Sequence, residues 1–187
     1  MRLRLVAILV IIFAGLVAGY LFGFIPHFTP KLLTGGPGLP INQEPIGMAD
    51  FIRVDKSDRK LELLRDNEII ATYQIALGRN PFGHKQQEGD KRTPEGLYTI
   101  DWRNPKSGYF LSLHISYPDQ NDIAVAQTAG FAPGGDVMIH GQPNGYDVAG
   151  SALQSFDWTY GCIAVTNQAM QQIWNAVPDG TPIEILP

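Results

Sequence analysis

The sequence predicts a mainly β domain of the α+β class, with a few short helices, preceded by one transmembrane helix. Three observations predict this. The 187 residues include 20 glycines and 14 prolines, which favours many turns and short strands over a helical bundle. Short runs rich in β-branched and aromatic residues recur from Asp50 onward, and only two late stretches read as helices. The chain also opens with an apolar run, Leu5 to Ile25, that differs from everything after it.

That run would span roughly 31 Å as a helix, about one bilayer core. Arg2 and Arg4 precede it, so the positive-inside bias leaves the N-terminus in the cytoplasm and exports the rest. A cleaved signal peptide is the rival reading, with Val17-Ala18-Gly19 as a cleavage site. The apolar character continues through Tyr20 to Ile25, and an anchor fits this better. The expectation is therefore a protein held in the cytoplasmic membrane through residues 1–25, with its domain in the periplasm. Residues 26–49 hold Pro26, Pro30, Gly35-Gly36-Pro37-Gly38, Pro40, Pro45 and Gly47 without any period, and read as an extended tether. The domain proper is expected over 50–187.

Asp50–Val54 and Lys60–Arg65 read as short strands, and Asp66-Asn67 as a turn. Glu68–Leu77 reads as one longer strand, with Ile69, Ala71, Tyr73, Ile75 and Leu77 on one face. Gly78–Gly96 is a long loop full of Gly, Pro and charge; such loops are usually functional or disordered. Leu97–Trp102 and Phe110–Tyr117 resume strand character, and Asp119–Ala129 suits a short helix ended by Gly130. Asp136–His140 reads as a buried strand. Asn167 is expected to N-cap a helix with Met170, Ile173, Trp174 and Val177 on its apolar face, stopped by Pro178. Thr181–Leu186 closes as a strand. No internal repeat is present.

The chemistry lies in two segments. Asp157-Trp158-Thr159-Tyr160-Gly161-Cys162-Ile163-Ala164-Val165 holds the single cysteine, and Val137-Met138-Ile139-His140-Gly141 ends an apolar strand on a histidine. A buried structural thiol is the ordinary reading of a lone cysteine. In an exported chain an unpaired cysteine more often has a purpose. Gly161 before it suits a sharp turn whose amides face a developing oxyanion. Cys162 is read as a nucleophile and His140 as its base, since proton transfer to an imidazole activates a thiol. A core histidine held by one hydrogen bond is the plain alternative for His140. His27 lies in the tether, His84 in the long loop and His114 in a strand. No His or Cys pair has metal-ligand spacing, so neither a metal nor any other cofactor is expected. One cysteine excludes dithiol redox chemistry. The formal net charge of −4 excludes a general nucleic-acid binder.

Ile139-His140-Gly141 followed by Thr159-Tyr160-Gly161-Cys162-Ile163 resembles the L,D-transpeptidase catalytic domain of YkuD type. Thr93-Pro94-Glu95-Gly96-Leu97-Tyr98 is similar to that family's Thr-Pro-x-Gly-x-aromatic segment, and Pro178 to Ile183 to its closing strand. Tyr160 stands where the family usually has a second histidine, and Ala164 where it has arginine. The Asp-Trp-Thr-x-Gly-Cys-Ile-Ala form is similar to a divergent branch, some of whose members hydrolyse murein or release protein attached to it. The resemblance implies a mixed β-sandwich with Cys162 at the mouth of a groove and a Gly141 carbonyl orienting His140. It implies a thioester on the diaminopimelate carbonyl of a peptidoglycan stem. An amine would resolve it to a 3-3 crosslink or a protein attachment, and water would hydrolyse it. Peptidoglycan and a murein-attached lipoprotein are the implied partners, and cell-wall biogenesis and cell shape the implied processes. Trp158, Thr159 and Tyr160 would line the substrate groove.

Other classes fit less well. A sortase needs an arginine after its cysteine, and no Lys or Arg follows Lys106. NlpC/P60-type peptidases place Cys before His. A wall-binding module without activity would need neither Cys162 nor His140. The half of the domain holding the nucleophile is net negative, so the cation for a substrate carboxylate is sought in the long loop, where Arg79, Lys85, Lys91 and Arg92 cluster. Lys85, Lys91 and Arg92 are the expected donor-binding cations; pairing with Glu88 and Asp90 is the plain alternative.

Overall fold

The computed structural model describes residues 46–146 and 150–187. The expected anchor and most of the tether lie outside the described residues, and no helix among the described residues is long and apolar enough to cross a membrane.

The chain runs β1 (Phe51–Asp55), β2 (Lys60–Arg65), β3 (Glu68–Gln74), β4 (Gly96–Asn104), β5 (Ser112–Ile115), α1 (Gln120–Thr128), β6 (Met138–His140), α2 (Gly150–Leu153), β7 (Ile163–Ala164), α3 (Asn167–Ala176) and β8 (Pro182–Leu186). The strand order is β3-β2-β1-β8-β4-β5-β6-β7. The expectation of a mainly β domain with few helices holds. β4 carries the architecture. Its first half, Gly96–Thr99, pairs with β8, and Ile100–Asn104 pairs with β5. One strand thereby joins two sheet halves, with their inner faces forming the core. Ile52, Val54, Leu61, Leu63, Ile100, Leu113, Ile115, Ile139, Ile163, Ile183 and Ile185 are buried there.

Beyond β3 the chain crosses to the opposite end of the sheet order. Ala76 bridges Ala164 and Gly78 bridges Thr159. The strand expected through Leu77 therefore ends at Gln74, because its continuation changes partner. Its expected face also breaks. Leu63 pairs Ala71 while Leu64 pairs Ile69, so Ile70 is an extra residue. Such a bulge shifts the inward-outward alternation, and Ile69 is left exposed.

Two caps differ in instructive ways. Asp119 caps α1 with a reciprocal capping box, in which Asp122 N–H donates to Asp119 Oδ1 (2.8 Å) and Asp119 N–H to Asp122 Oδ2 (2.9 Å). α3 is capped by Thr166, whose hydroxyl accepts from Ala169 N–H, rather than by Asn167. Asn167 is the first helical residue, and its side chain is used at the site described next. Met170 and Ile173 of α3 are buried as expected, with Val177 at its end.

Candidate active site

Strand register brings the two chemical segments together. β6 and β7 are parallel, with Ile139 opposite Ile163 and His140 opposite Ala164. Ile139 and Ile163 are buried in the core. Met138 and His140 therefore point to the other face, and Cys162, one residue before Ile163, comes opposite Met138. Cys162 and His140 are diagonal neighbours on one face, a spacing of roughly 7–8 Å that side chains can bridge. Both line one cavity of about 490 Å³, with Arg79, Tyr109, Trp158 and Tyr160.

The imidazole is locked. His140 Nδ1 lies 2.6 Å from the Gly141 carbonyl oxygen. A carbonyl can only accept, so Nδ1 carries the proton and Nε2 keeps its lone pair. Tyr109 and Trp158 pack on the ring, with centroids at 4.5 Å and 5.6 Å. His140 is 4 % exposed. Burial pulls its pKa down to about 4, against the opposing pull of the Gly141 carbonyl. Gly141 is required by close approach: a Cβ there would lie 2.6 Å from Asn167 Oδ1 and 3.0 Å from Tyr109 O. Asn167 Oδ1 also accepts from Gln142 N–H (2.8 Å), fixing the chain just past the histidine.

The turn before Cys162 is shaped by Thr159. Its hydroxyl donates to Cys162 O (2.7 Å) and accepts from Gly161 N–H (3.1 Å). That Gly161 amide is therefore engaged inside the turn instead of facing an incoming oxyanion. Gly161 has φ +130°, and a Cβ would meet Arg92 O at 2.6 Å. Cys162 is half-buried, and its thiol points to Asp136 O at 3.6 Å. Burial pushes the thiol pKa up; the Met138 backbone amide opposes this, the Asp136 charge adds to it, and the Lys85 charge opposes it. Both groups thus rest in their neutral forms, a thiol beside an imidazole. A second cavity, of about 340 Å³, opens beside Cys162 and Tyr160 and is lined by Lys85, Glu88, Gly134 and Asp136.

The long loop is ordered from below. Lys56, buried, donates to Glu95 Oε1 (2.7 Å), Gly83 O (2.8 Å) and Thr93 O (3.1 Å). His84 accepts from Glu95 N–H at Nδ1 (3.0 Å), with Nε2 3.0 Å from Asp122 Oδ1. The four loop cations separate. Lys85 is buried and pairs with Asp90 Oδ1 (2.8 Å), the plain alternative weighed from sequence. Arg92 reaches back to His84 O (3.4 Å) and lines neither of these two cavities. Lys91 sits over the Tyr160 ring at 5.7 Å. Arg79 lines the larger cavity, lies 5.1 Å from the Tyr160 centroid and donates to Trp158 O (3.1 Å). Thr159 is buried, Trp158 packs on His140, and Tyr160 is exposed. Sequence reasoning missed Tyr109, Asp136 and Arg59. The Arg59 guanidinium holds Asp157 from 98 residues away, which no local pattern reveals.

Residues 49–185 match the L,D-transpeptidase catalytic domain profile (YkuD). The chain belongs to the L,D-transpeptidase catalytic domain family. It is 28 % identical over 142 residues to YafK of Escherichia coli (strain K12), covering 72 % of this chain and 50 % of that protein. It is 25 % identical over 154 residues to YqjB of Bacillus subtilis (strain 168), covering 80 % and 78 %. Both are provisionally named L,D-transpeptidases. The chain thus spans about half the length of YafK. Among solved structures, the helical cell shape determining protein Pgp2 of Campylobacter jejuni matches with a TM-score of 0.52 at 24 % identity, over 75 % of this chain and 52 % of that one. The L,D-transpeptidase of Mycobacterium smegmatis matches with 0.50 at 15 %, over 73 % and 58 %. At these identities the likeness is one of fold, and it is the L,D-transpeptidase fold.

Proposed function

We propose that this member of the L,D-transpeptidase family transfers acyl groups of peptidoglycan stem peptides through a Cys162 thioester. The observation that carries the reading is the His140 ring, its Nδ1 proton held by Gly141 O and its Nε2 free on the face that bears Cys162. In this reading the thiol proton passes to Nε2 as sulfur attacks the stem carbonyl. The imidazolium then protonates the departing amine, leaving a thioester. An acceptor amine attacks next, gives up its proton to Nε2, and expels the Cys162 thiolate, which takes that proton back from the imidazolium. Neutral resting groups suit this sequence, because charge appears only along the reaction path, where Gly141 O supports the imidazolium.

The two cavities beside Cys162 favour transfer over hydrolysis. The larger one bears Arg79, a cation suited to a donor carboxylate in place of the arginine that Ala164 replaces. The smaller one bears Glu88 and Asp136, which suit an amine, beside Lys85, whose charge is already paired with Asp90. Trp158 and Tyr160 would form the walls, and Thr159 would hold the turn. Leu5–Ile25 would keep the domain at the outer face of the cytoplasmic membrane, near murein and murein-attached protein; fractionation should find the intact chain in membranes. The reaction itself is tested on purified sacculi. New 3-3 linkages in the released muropeptides support transfer, whereas loss of crosslinks or release of attached protein without new bonds would assign hydrolysis instead.

A further inference from the structure

We propose that Trp102, stacked on His114, is a saccharide subsite that takes a pyranose ring of the glycan strand bearing the donor stem. The inference rests on the acyl-transfer reading for its purpose but not for its test. It begins with a bulge. Ile100 pairs Ile115 and Trp102 pairs His114, so Asp101 is one residue too many. Ile100 is fully buried, and regular alternation would turn Trp102 to that same side. The extra residue re-aims it outward, and the indole is left 41 % exposed. Asp101 also fixes the platform's support: its Oδ1 lies 2.6 Å from His114 Nδ1. The His114 and Trp102 rings stack at 4.9 Å and 18°. An indole held flat against a buttressed imidazole is an ordered surface, not a loose side chain.

The same face leads to the nucleophile. His114 is opposite Met138, Ser112 opposite His140, and Asn104 opposite Ser112. Asn104, Ser112, Met138 and His140 all line the Cys162 cavity, so Trp102 and His114 extend its floor. Three strand spacings separate Cys162 from Trp102, about 14 Å. Three stem residues, fully extended, cover roughly 10–11 Å, and the lactyl link that joins the peptide to its sugar carries the reach further. A donor seated on Cys162 therefore brings its sugar to the indole. A flat aromatic ring complements the C–H face of a pyranose, while Asp101 and His114 offer polar edges to its hydroxyl and amide groups. The Asp101 charge disfavours an anion there.

Peptide-free glycan strands, titrated into the full-length protein, test the subsite directly. Wild type should bind them. Trp102→Ala and Trp102→Met should weaken binding by about tenfold or more, and Trp102→Phe should retain it within a few-fold. The Met variant keeps bulk without a flat ring, so it serves should Trp102→Ala fail to fold. Cys162→Ala should bind glycan as wild type does, which separates this result from any failure of acyl transfer. No glycan binding by wild type, binding only of sugar-free stem peptide, or equal binding by Trp102→Met would overturn the proposal.

Discussion

The Asp157 carboxylate holds the Arg59 guanidinium by two nitrogens, with Nη2 to Oδ2 at 2.8 Å and Nε 3.2 Å from both oxygens. The same Asp157 Oδ1 accepts from Leu77 N–H at 2.9 Å. Arg59 also donates to Lys56 O. One carboxylate therefore ties the β1–β2 turn, the crossing segment after β3 and the start of the turn before Cys162. Asp157→Ala should lose about 1–3 kcal/mol in chemical denaturation. It should also lower kcat more than it raises KM, because it displaces Cys162 without touching substrate. Asp157→Asn should fall between. Wild-type kcat in Asp157→Ala would remove its positioning role.

His140 makes stability depend on pH in a stated direction. Its pKa falls from 6.5 unfolded to about 4 folded. Between these values the unfolded chain binds the extra proton, so stability rises with pH across this window and is lost as pH falls through it. The contribution is on the order of 3 kcal/mol, present above the unfolded value and gone below about pH 4. Urea midpoints of wild type and His140→Gln, compared from pH 4 to 7, should converge toward the acid end. The acid limb of kcat/KM should lie well below the ordinary imidazole range. Alkylation of Cys162 should rise only above the usual thiol range, since burial holds the thiol protonated.

Arg79 and Lys85 should separate cleanly. Arg79→Ala should raise KM by about tenfold for stems with free carboxylates and much less for amidated ones, while the fold stays intact. Lys85→Met should act on stability, because it removes the ammonium from a nearly buried pair at 2.8 Å; Asp90 keeps the Gln86, Gln87 and Arg92 N–H donors, so a loss of about 1–3 kcal/mol is expected. Thermal melts and steady-state kinetics on both variants decide between these outcomes. Equal handling of free and amidated stems by Arg79→Ala would leave the carboxylate without its cation.

The sequence carried the segments that meet, but not the contacts that shape them. Cys162, Gly161, His140 and Gly141 stood out because a lone thiol, a turn glycine and a strand-end histidine are local features. The strands Lys60–Arg65 and Thr181–Leu186 were legible for the same reason. What pairing decides was not legible. The bulges at Ile70 and Asp101 depend on partners distant in the chain, and the first of them overturned the alternation read along Glu68–Leu77. Asn167 looked like a cap, yet its amide is spent on Gln142 N–H while Thr166 caps α3. Within the loop, composition named four cations, and only packing told Arg79, in the larger cavity, from Lys85, buried against Asp90 at the edge of the smaller one.

The most direct test of the account is the intact mass of the full-length protein after brief exposure to a stem tetrapeptide ending in D-alanine. Wild type should gain the mass of the acyl tripeptide on Cys162, with D-alanine released, and an added amine should discharge it. Cys162→Ala should gain nothing, and His140→Gln should acylate roughly 10²–10⁴-fold more slowly. Turnover of stem peptides by Cys162→Ala, or an adduct on any residue but Cys162, would contradict the account.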